Sequence, residues 1–135
     1  MILADTNVLL DLVTNDPTWF DWSRQRLAEA ARSRELAVTP VVFAELSIRF
    51  STVEAVESAL RSLGALMSAT PHGALFLAGK AFQQYRAAGG PRTGVLPDFF
   101  IGAHAVIAGA PLITRDTRRF RTYFPGIELI APDIH

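Results

Sequence analysis

Apolar and polar positions along this chain alternate in short blocks. Residues 2–4, Ile-Leu-Ala, form a brief apolar run suited to a buried strand, and comparable segments recur at residues 36–38, 65–68, 111–114 and 127–130. Helix starts fall between them. Asp16-Pro17, Thr39-Pro40 and Thr70-Pro71 each pair a capping side chain with proline, whose missing N–H is no loss at a first helical position. A fourth helix is expected from Ser51, where Glu54 completes a capping box; it sets Val53, Val56, Leu60 and Leu63 on one face and stops at Gly64. The glycine- and proline-rich stretch 87–97 reads as a loop, and residues 98–108 as an apolar helix. Strands alternating with helices imply parallel pairing through helical crossovers, so the fold class is α/β, a three-layer α/β/α sandwich.

In an open parallel sheet, ligands gather beyond the carboxyl ends of the strands, where strand order reverses. Asp5 follows the first predicted strand and Asp116 lies just past Thr114, at the end of the fourth. Each acid taken alone also has a structural explanation. Asp5 would cap a helix beginning near Asn7, Asp98 would cap the helix it opens, and Asp116 would cap residues 117–123. Glu45 stands four residues before Arg49, the spacing of a surface ion pair. Val41, Val42 and Ile48 share its helix face, however, which aims the carboxylate at apolar surroundings where it needs a partner or a metal. Together the four acids supply oxygen ligands from separate elements. Such carboxylates cannot all stay ionised in close approach without a cation, and an all-oxygen set suits magnesium, with manganese as a substitute. Bound there, the ion would activate water against a phosphodiester.

Composition narrows the alternatives. The chain has 135 residues, half of them apolar, which suits one domain over residues 1–135 and leaves no room for two. It has no cysteine, so disulfide scaffolds, thiolate zinc sites and cysteine nucleophiles are excluded. Asp5 and Asp11 interrupt the apolar N-terminus where a secretory signal would be continuous, and the longest apolar stretch, residues 99–113, is broken by His104 and Pro111 and falls short of the roughly 20 residues a membrane span needs. A soluble, cytoplasmic protein is the expectation. Thirteen bases balance thirteen acids, which by itself argues against a nucleic-acid partner. Setting four metal-bound acids aside leaves nine against thirteen, a basic surplus elsewhere. All of the bases but Lys80 are arginine, whose planar fork suits phosphate, although genome composition gives the same bias.

Four segments resemble a known family. Leu3-Ala4-Asp5-Thr6-Asn7, Thr39-Pro40 leading to Glu45, Asp98-Phe99-Phe100-Ile101 running on to Ala103-His104-Ala105, and Leu112-Ile113-Thr114-Arg115-Asp116 are similar, in order, to the motifs of PIN domains, and most nearly to those of VapC toxins from bacterial toxin–antitoxin pairs. The resemblance covers essentially the whole chain. It implies a parallel sheet of order 3-2-1-4-5, a magnesium-dependent endoribonuclease, a homodimer and a cognate VapB-type antitoxin. It places Asp5, Glu45, Asp98 and Asp116 in the acidic quartet, with Asp5, Asp98 and Asp116 as principal metal ligands and Thr6, Asn7 and Thr114 as polar support.

The remaining candidates are weaker. Arg115, Arg118 and Arg119 cluster beside Asp116, where they either hold an RNA backbone or form a solvated face. A helix after Pro17 that buries Phe20, Leu27, Ala30 and Ala31 would leave Trp22 exposed and Trp19 at its edge, so both tryptophans become candidates for antitoxin or RNA contact. His104, inside an apolar helix, reads as a packed, hydrogen-bonded residue. Gly89-Gly90-Pro91 lacks the lysine and hydroxyl of a phosphate loop. Asn7 stands where an Asp-x-Asp phosphatase has its second acid, and Lys80 is the only lysine a receiver domain would have. A non-catalytic RNA-binding or regulatory module of the same fold is the alternative to an enzyme.

Overall fold

All five apolar segments become strands of one sheet. The computed structural model describes residues 1–92 and 94–132. Strands β1 (Ile2–Ala4), β2 (Leu36–Val38), β3 (Ala65–Met67), β4 (Leu112–Ile113) and β5 (Leu129–Ile130) are all parallel, in the order β3-β2-β1-β4-β5. This is the expected 3-2-1-4-5 arrangement. Leu3 lies opposite both Ala37 and Leu112, so β1 sits centrally and is covered on both faces, which is why it reads as an unbroken apolar run. Ladder bonds outlast the strands: Asp5 N–H donates to Ile113 C=O at 2.9 Å and Thr114 N–H to Ile130 C=O at 3.1 Å. Asp5 and Thr114 are thereby held side by side at the carboxyl edge.

Helices α1 (Thr6–Val13), α2 (Phe20–Ser33), α3 (Pro40–Ser47), α4 (Val53–Ser62), α5 (His72–Ala87), α6 (Leu96–Ala108) and α7 (Arg118–Tyr123) fill the connections. Strand order steps one way from β1 to β3 and the other way from β4 to β5, so right-handed crossovers place the helices on both faces. None of the described helices is long and apolar enough to cross a membrane.

The caps depart from expectation in instructive places. Thr39 caps α3 by accepting from Val42 N–H, as its Thr-Pro pair implies. In α4 the cap is Thr52, one residue after Ser51: its backbone is extended and its hydroxyl accepts from Ala55 N–H at 3.1 Å. Val56 and Leu60 are buried there, while Val53 is exposed. Thr70 caps nothing, because its hydroxyl meets Nδ1 of His104 at 3.2 Å, and α5 starts after Pro71. His104 is buried between Thr70 and Ser68, whose hydroxyl lies 3.1 Å from Nε2, so it is the packed histidine its setting implied. Helix α6 begins at Leu96, two residues before Asp98, which therefore sits in the first turn and is not the cap.

The segment after Pro17 corrects the reading of the tryptophans. Asp16 Oδ1 accepts from Thr18 and Trp19 N–H, both at 2.8 Å, so a turn precedes α2, which starts at Phe20. Its buried stripe is Ser23, Leu27 and Ala30, with Phe20 and Ala31 only half-buried. Shifting the stripe to Ser23 brings Trp22 partly under cover, packed against the core and edge-on to Trp19 at 6.2 Å. Trp22 is not the exposed anchor expected: it is partly covered, with Arg26 over its ring, and Arg115 lies over Trp19.

Candidate active site

The carboxyl edge of the sheet collects the acids from four elements. Asp5 ends β1 and caps α1; its Oδ1 accepts from Thr6 N–H at 2.7 Å, so capping and placement at the strand end coincide in one residue. Oδ2 accepts from the Thr114 hydroxyl at 2.7 Å and from the Asn7 amide at 3.4 Å. Thr114 also accepts from Asp116 N–H at 3.1 Å, which fixes the turn after β4. Asn7 closes the circuit, its Oδ1 accepting from Arg115 N–H at 3.3 Å. Thr6, Asn7 and Thr114, the three polar residues expected as support, each bind Asp5, and the Asn7 amide also donates to the Thr114 hydroxyl at 3.4 Å.

Glu45 reaches this edge from α3, where Oε1 accepts from the Thr6 hydroxyl at 2.6 Å. It faces the site and not Arg49, although one argument for that orientation fails: Ile48 is 82% exposed and does not share a buried face. Asp98 enters from the first turn of α6 and takes a salt bridge from Arg119 Nη1 at 2.5 Å. Asp116 is exposed. It does not cap α7, whose N-cap is Thr117, so its carboxylate is left for other use.

Electrostatics link the four. Burial raises the Asp5 carboxyl from its usual 3.8 to about 7; Thr114 and Thr6 oppose the shift by hydrogen bonding, and the negative charges of Asp98 and Glu45 add to it. Asp98 is raised as well, mainly by burial, with Arg119 lowering it and Asp116 and Glu45 raising it. All donors to Asp5 are neutral: a backbone amide, a hydroxyl and a side-chain amide. The donor set is oxygen throughout, which suits a hard divalent cation, and the buried Asp5 carboxyl has no cationic partner among the described residues. As placed, however, no three His, Asp or Glu side chains among the described residues stand close enough to hold a metal ion, and the one cation at the acids is Arg119.

Arg115 is a correction. Its Nε and Nη2 donate to Asp11 Oδ2 and Oδ1, both at 2.8 Å, and its guanidinium lies 5.1 Å from the Trp19 ring centroid, so the fork is not free for an RNA backbone. Asp11, 2% exposed, also accepts from the Ser23 hydroxyl at 2.6 Å and thereby ties α1, α2 and the β4–α7 turn together. Sequence reasoning missed Asp11. The signal was available: it lies four residues after Asn7, on the same helix face, amid leucines.

Beside Asp116 lies a cavity of about 660 Å³, lined by Tyr85, Tyr123, Thr122 and the run from Arg115 to Arg119. It opens at the end of α5 and along α7. Gly102 of α6 permits this packing, because a Cβ there would come within 2.4 Å of the buried Phe124 ring just past α7.

A sequence model of the PIN domain matches residues 2–124. Comparison with curated proteins gives no match. Among solved structures, VapBC2 from Rickettsia felis bound to a DNA fragment from its promoter superposes with a TM-score of 0.72 at 20% identity, covering 97% of this chain and 98% of the other. A toxin–antitoxin complex from Klebsiella pneumoniae gives 0.70 at 22% identity, with 98% of each chain covered. FitAcB from Neisseria gonorrhoeae gives 0.65 at 18% identity, covering 96% of each.

Proposed function

The chain belongs to the PIN-domain family, and from that premise we propose that it is a metal-dependent endoribonuclease, the cytoplasmic toxin of a toxin–antitoxin pair. The observation that carries this reading is Asp5: a buried carboxyl, raised to about 7, facing two further acids and given only neutral donors. Asp5, Asp98 and Asp116 would hold magnesium or manganese, with Glu45 completing the set. When bound, the ion polarises water and offsets charge at the phosphodiester.

The chain's own residues do the positioning. Thr114 and Thr6 fix the two Asp5 oxygens, and the Thr6 hydroxyl turns Glu45 toward the same edge. Asn7 joins Asp5 to the turn carrying Asp116. Arg119 holds Asp98 through Oδ2 and would compete with an ion for that oxygen. The likeness to VapBC and other toxin–antitoxin complexes supports a VapB-type antitoxin as partner, and a homodimer is the working state that the PIN-domain resemblance implies. Exposed Leu75, Phe76 and Leu96 offer apolar surface for such contacts.

A second reading draws on the Arg119–Asp98 pair: with the acids closed by an internal guanidinium, the protein would be a non-catalytic RNA-binding or regulatory module. One experiment separates the two. Purified protein is incubated with total RNA in magnesium, in chelator, and as the Asp98→Ala variant. Cleavage confined to the wild type in magnesium is expected; RNA retained uncut in all three samples would leave the binding module as the better account.

A further inference from the structure

Asp116 is the least restrained of the four acids. It is exposed, and its carboxylate accepts no hydrogen bond among the described residues; its backbone N–H is tied to the Thr114 hydroxyl. On one side of it lies the cavity whose floor is Tyr85 and Tyr123. Its direction therefore depends on the turn that carries it, and on Arg115 above all. That turn has two anchors on one helix. Asp5, the N-cap of α1, accepts from the Thr114 hydroxyl, and Asp11, six residues further along, takes the Arg115 fork on both oxygens at 2.8 Å. At about 1.5 Å per residue the anchors stand roughly 9 Å apart along α1, which denies the turn the rotation that one anchor would allow. Asp11 is itself fixed. It is buried and accepts from the Ser23 hydroxyl of α2 at 2.6 Å, while the Trp19 ring covers the guanidinium at 5.1 Å.

We propose that Asp11 and Arg115 are positioning residues of the acidic site: their ion pair holds the β4–α7 turn in the orientation that directs the Asp116 carboxylate toward Asp98. The inference rests on the metal reading for what Asp116 holds and adds which residues set its direction. A buried ion pair adds little net stability over an apolar pair of the same volume, and its best-attested use is to specify one geometry. The geometry it specifies here has a visible effect, because the charge of Asp116 reaches Asp98 and helps to raise that carboxyl. The fork is what the task needs. A planar guanidinium meets both carboxylate oxygens at once and lies flat against a ring, whereas a lysine ammonium is a point charge on a flexible stem. Arg115 thus acts on the site through Asp116, with its own donors spent on Asp11.

The test separates aim from charge. Arg115→Lys keeps the cation beside Asp11 and loses the fork; Asp11→Glu, run beside it, keeps both charges and displaces the fork by one methylene. Two readouts are taken on protein that calorimetry shows to be folded. In chelator, the Asp116 amide, bonded within the turn, should exchange its hydrogen about tenfold faster by NMR, while amides of β1 and β2 keep their wild-type rates. Manganese titrated alone should bind about tenfold more weakly, the loss expected when a group that orients a ligand is removed. Wild-type exchange at Asp116 overturns the proposal, and so does wild-type manganese affinity alongside faster exchange. Loss of folding in both variants would assign the pair to stability alone and overturn it too. If the wild type binds no manganese, the metal reading fails and the exchange rate alone decides: faster exchange upholds the lock on Asp116, an unchanged rate overturns it.

Discussion

Replacing Asp5 by asparagine should stabilise the metal-free protein at alkaline pH while removing its activity. In the folded chain this carboxyl is raised from 3.8 to about 7, and at 5% exposure solvent does little to screen it. Three units at about 1.4 kcal/mol each make on the order of 4 kcal/mol. Because the folded value lies above the unfolded one, the folded state holds the proton more tightly. This contribution to stability is complete below about pH 4 and is lost as pH rises toward about 7. Asp98, also raised, acts in the same direction. His104 acts in the opposite one, since burial lowers its value below 6.5 and its contribution is lost as pH falls.

A wild-type pH profile therefore mixes at least four groups, since the Trp19 and Thr18 N–H groups also hold the Asp16 carboxyl below its usual value, and the asparagine variant isolates one. The introduced carboxamide keeps an oxygen for Thr6 N–H but presents its NH2 to Thr114, whose hydroxyl has to turn to accept it, at a cost of about 1 kcal/mol. In chelator at pH 8 Asp5→Asn should exceed the wild type by about 3 kcal/mol, which is about 10 °C in Tm for a chain of this length. Near pH 4 the advantage should vanish. Calorimetric scans at pH 4, 6 and 8 check this. Parallel profiles for wild type and variant would refute the claim that Asp5 is a buried acid lacking a cation.

Three further outcomes follow from the same geometry. Magnesium at pH 8 should raise the wild-type Tm by binding the native state, and calorimetry should show a smaller rise in Asp98→Asn; equal rises would move the ion away from these acids. Arg119→Gln frees Asp98 of a partly buried ion pair worth about 1 kcal/mol, so manganese binding measured by titration calorimetry should tighten about fivefold while RNA binding in chelator weakens. Asp11→Ala strands the Arg115 fork and the Ser23 hydroxyl and should cost about 3–5 kcal/mol in urea melts, with Asp11→Asn recovering part of it; a loss below about 1 kcal/mol would show that the network does not hold the turn.

Much of this architecture was legible because local signals and global topology agree. Residues 36–38 read as a strand from their apolar run and form β2 between two neighbours, and Thr39-Pro40 both caps α3 and aims Glu45. Agreement fails where one side chain serves two masters. Thr70 has the sequence of a cap, but the buried ring of His104 needs a hydroxyl, and the cap is given up. Ser23 looks like a surface residue of α2 until Asp11 requires a donor, and turning the helix to supply it brings Trp22 under partial cover. Neither demand is visible from the residues nearby.

The acids illustrate the same division at the site itself. Three of them were readable because Asp5 and Asp116 stand at or just past strand ends and Asp98 in the first turn of α6, places that topology alone sends to one edge of the sheet, whereas Glu45, sixth of the eight residues of α3, meets that edge through the Thr6 hydroxyl. Which basic groups face them was not readable, because Arg115, Arg118 and Arg119 lie within five residues and differ only in direction. The structure gives them three separate roles: Arg115 locks the turn to Asp11, Arg119 stands on Asp98, and Arg118 is left to solvent beside the tyrosine floor. That floor joins the end of α5 to the end of α7, thirty-eight residues apart, with no motif to connect Tyr85 to Tyr123. Its existence depends on packing, on Phe99 beneath both rings and on Gly102 admitting Phe124, and packing of this kind is specified by side-chain volume across elements and not by any pattern along one of them.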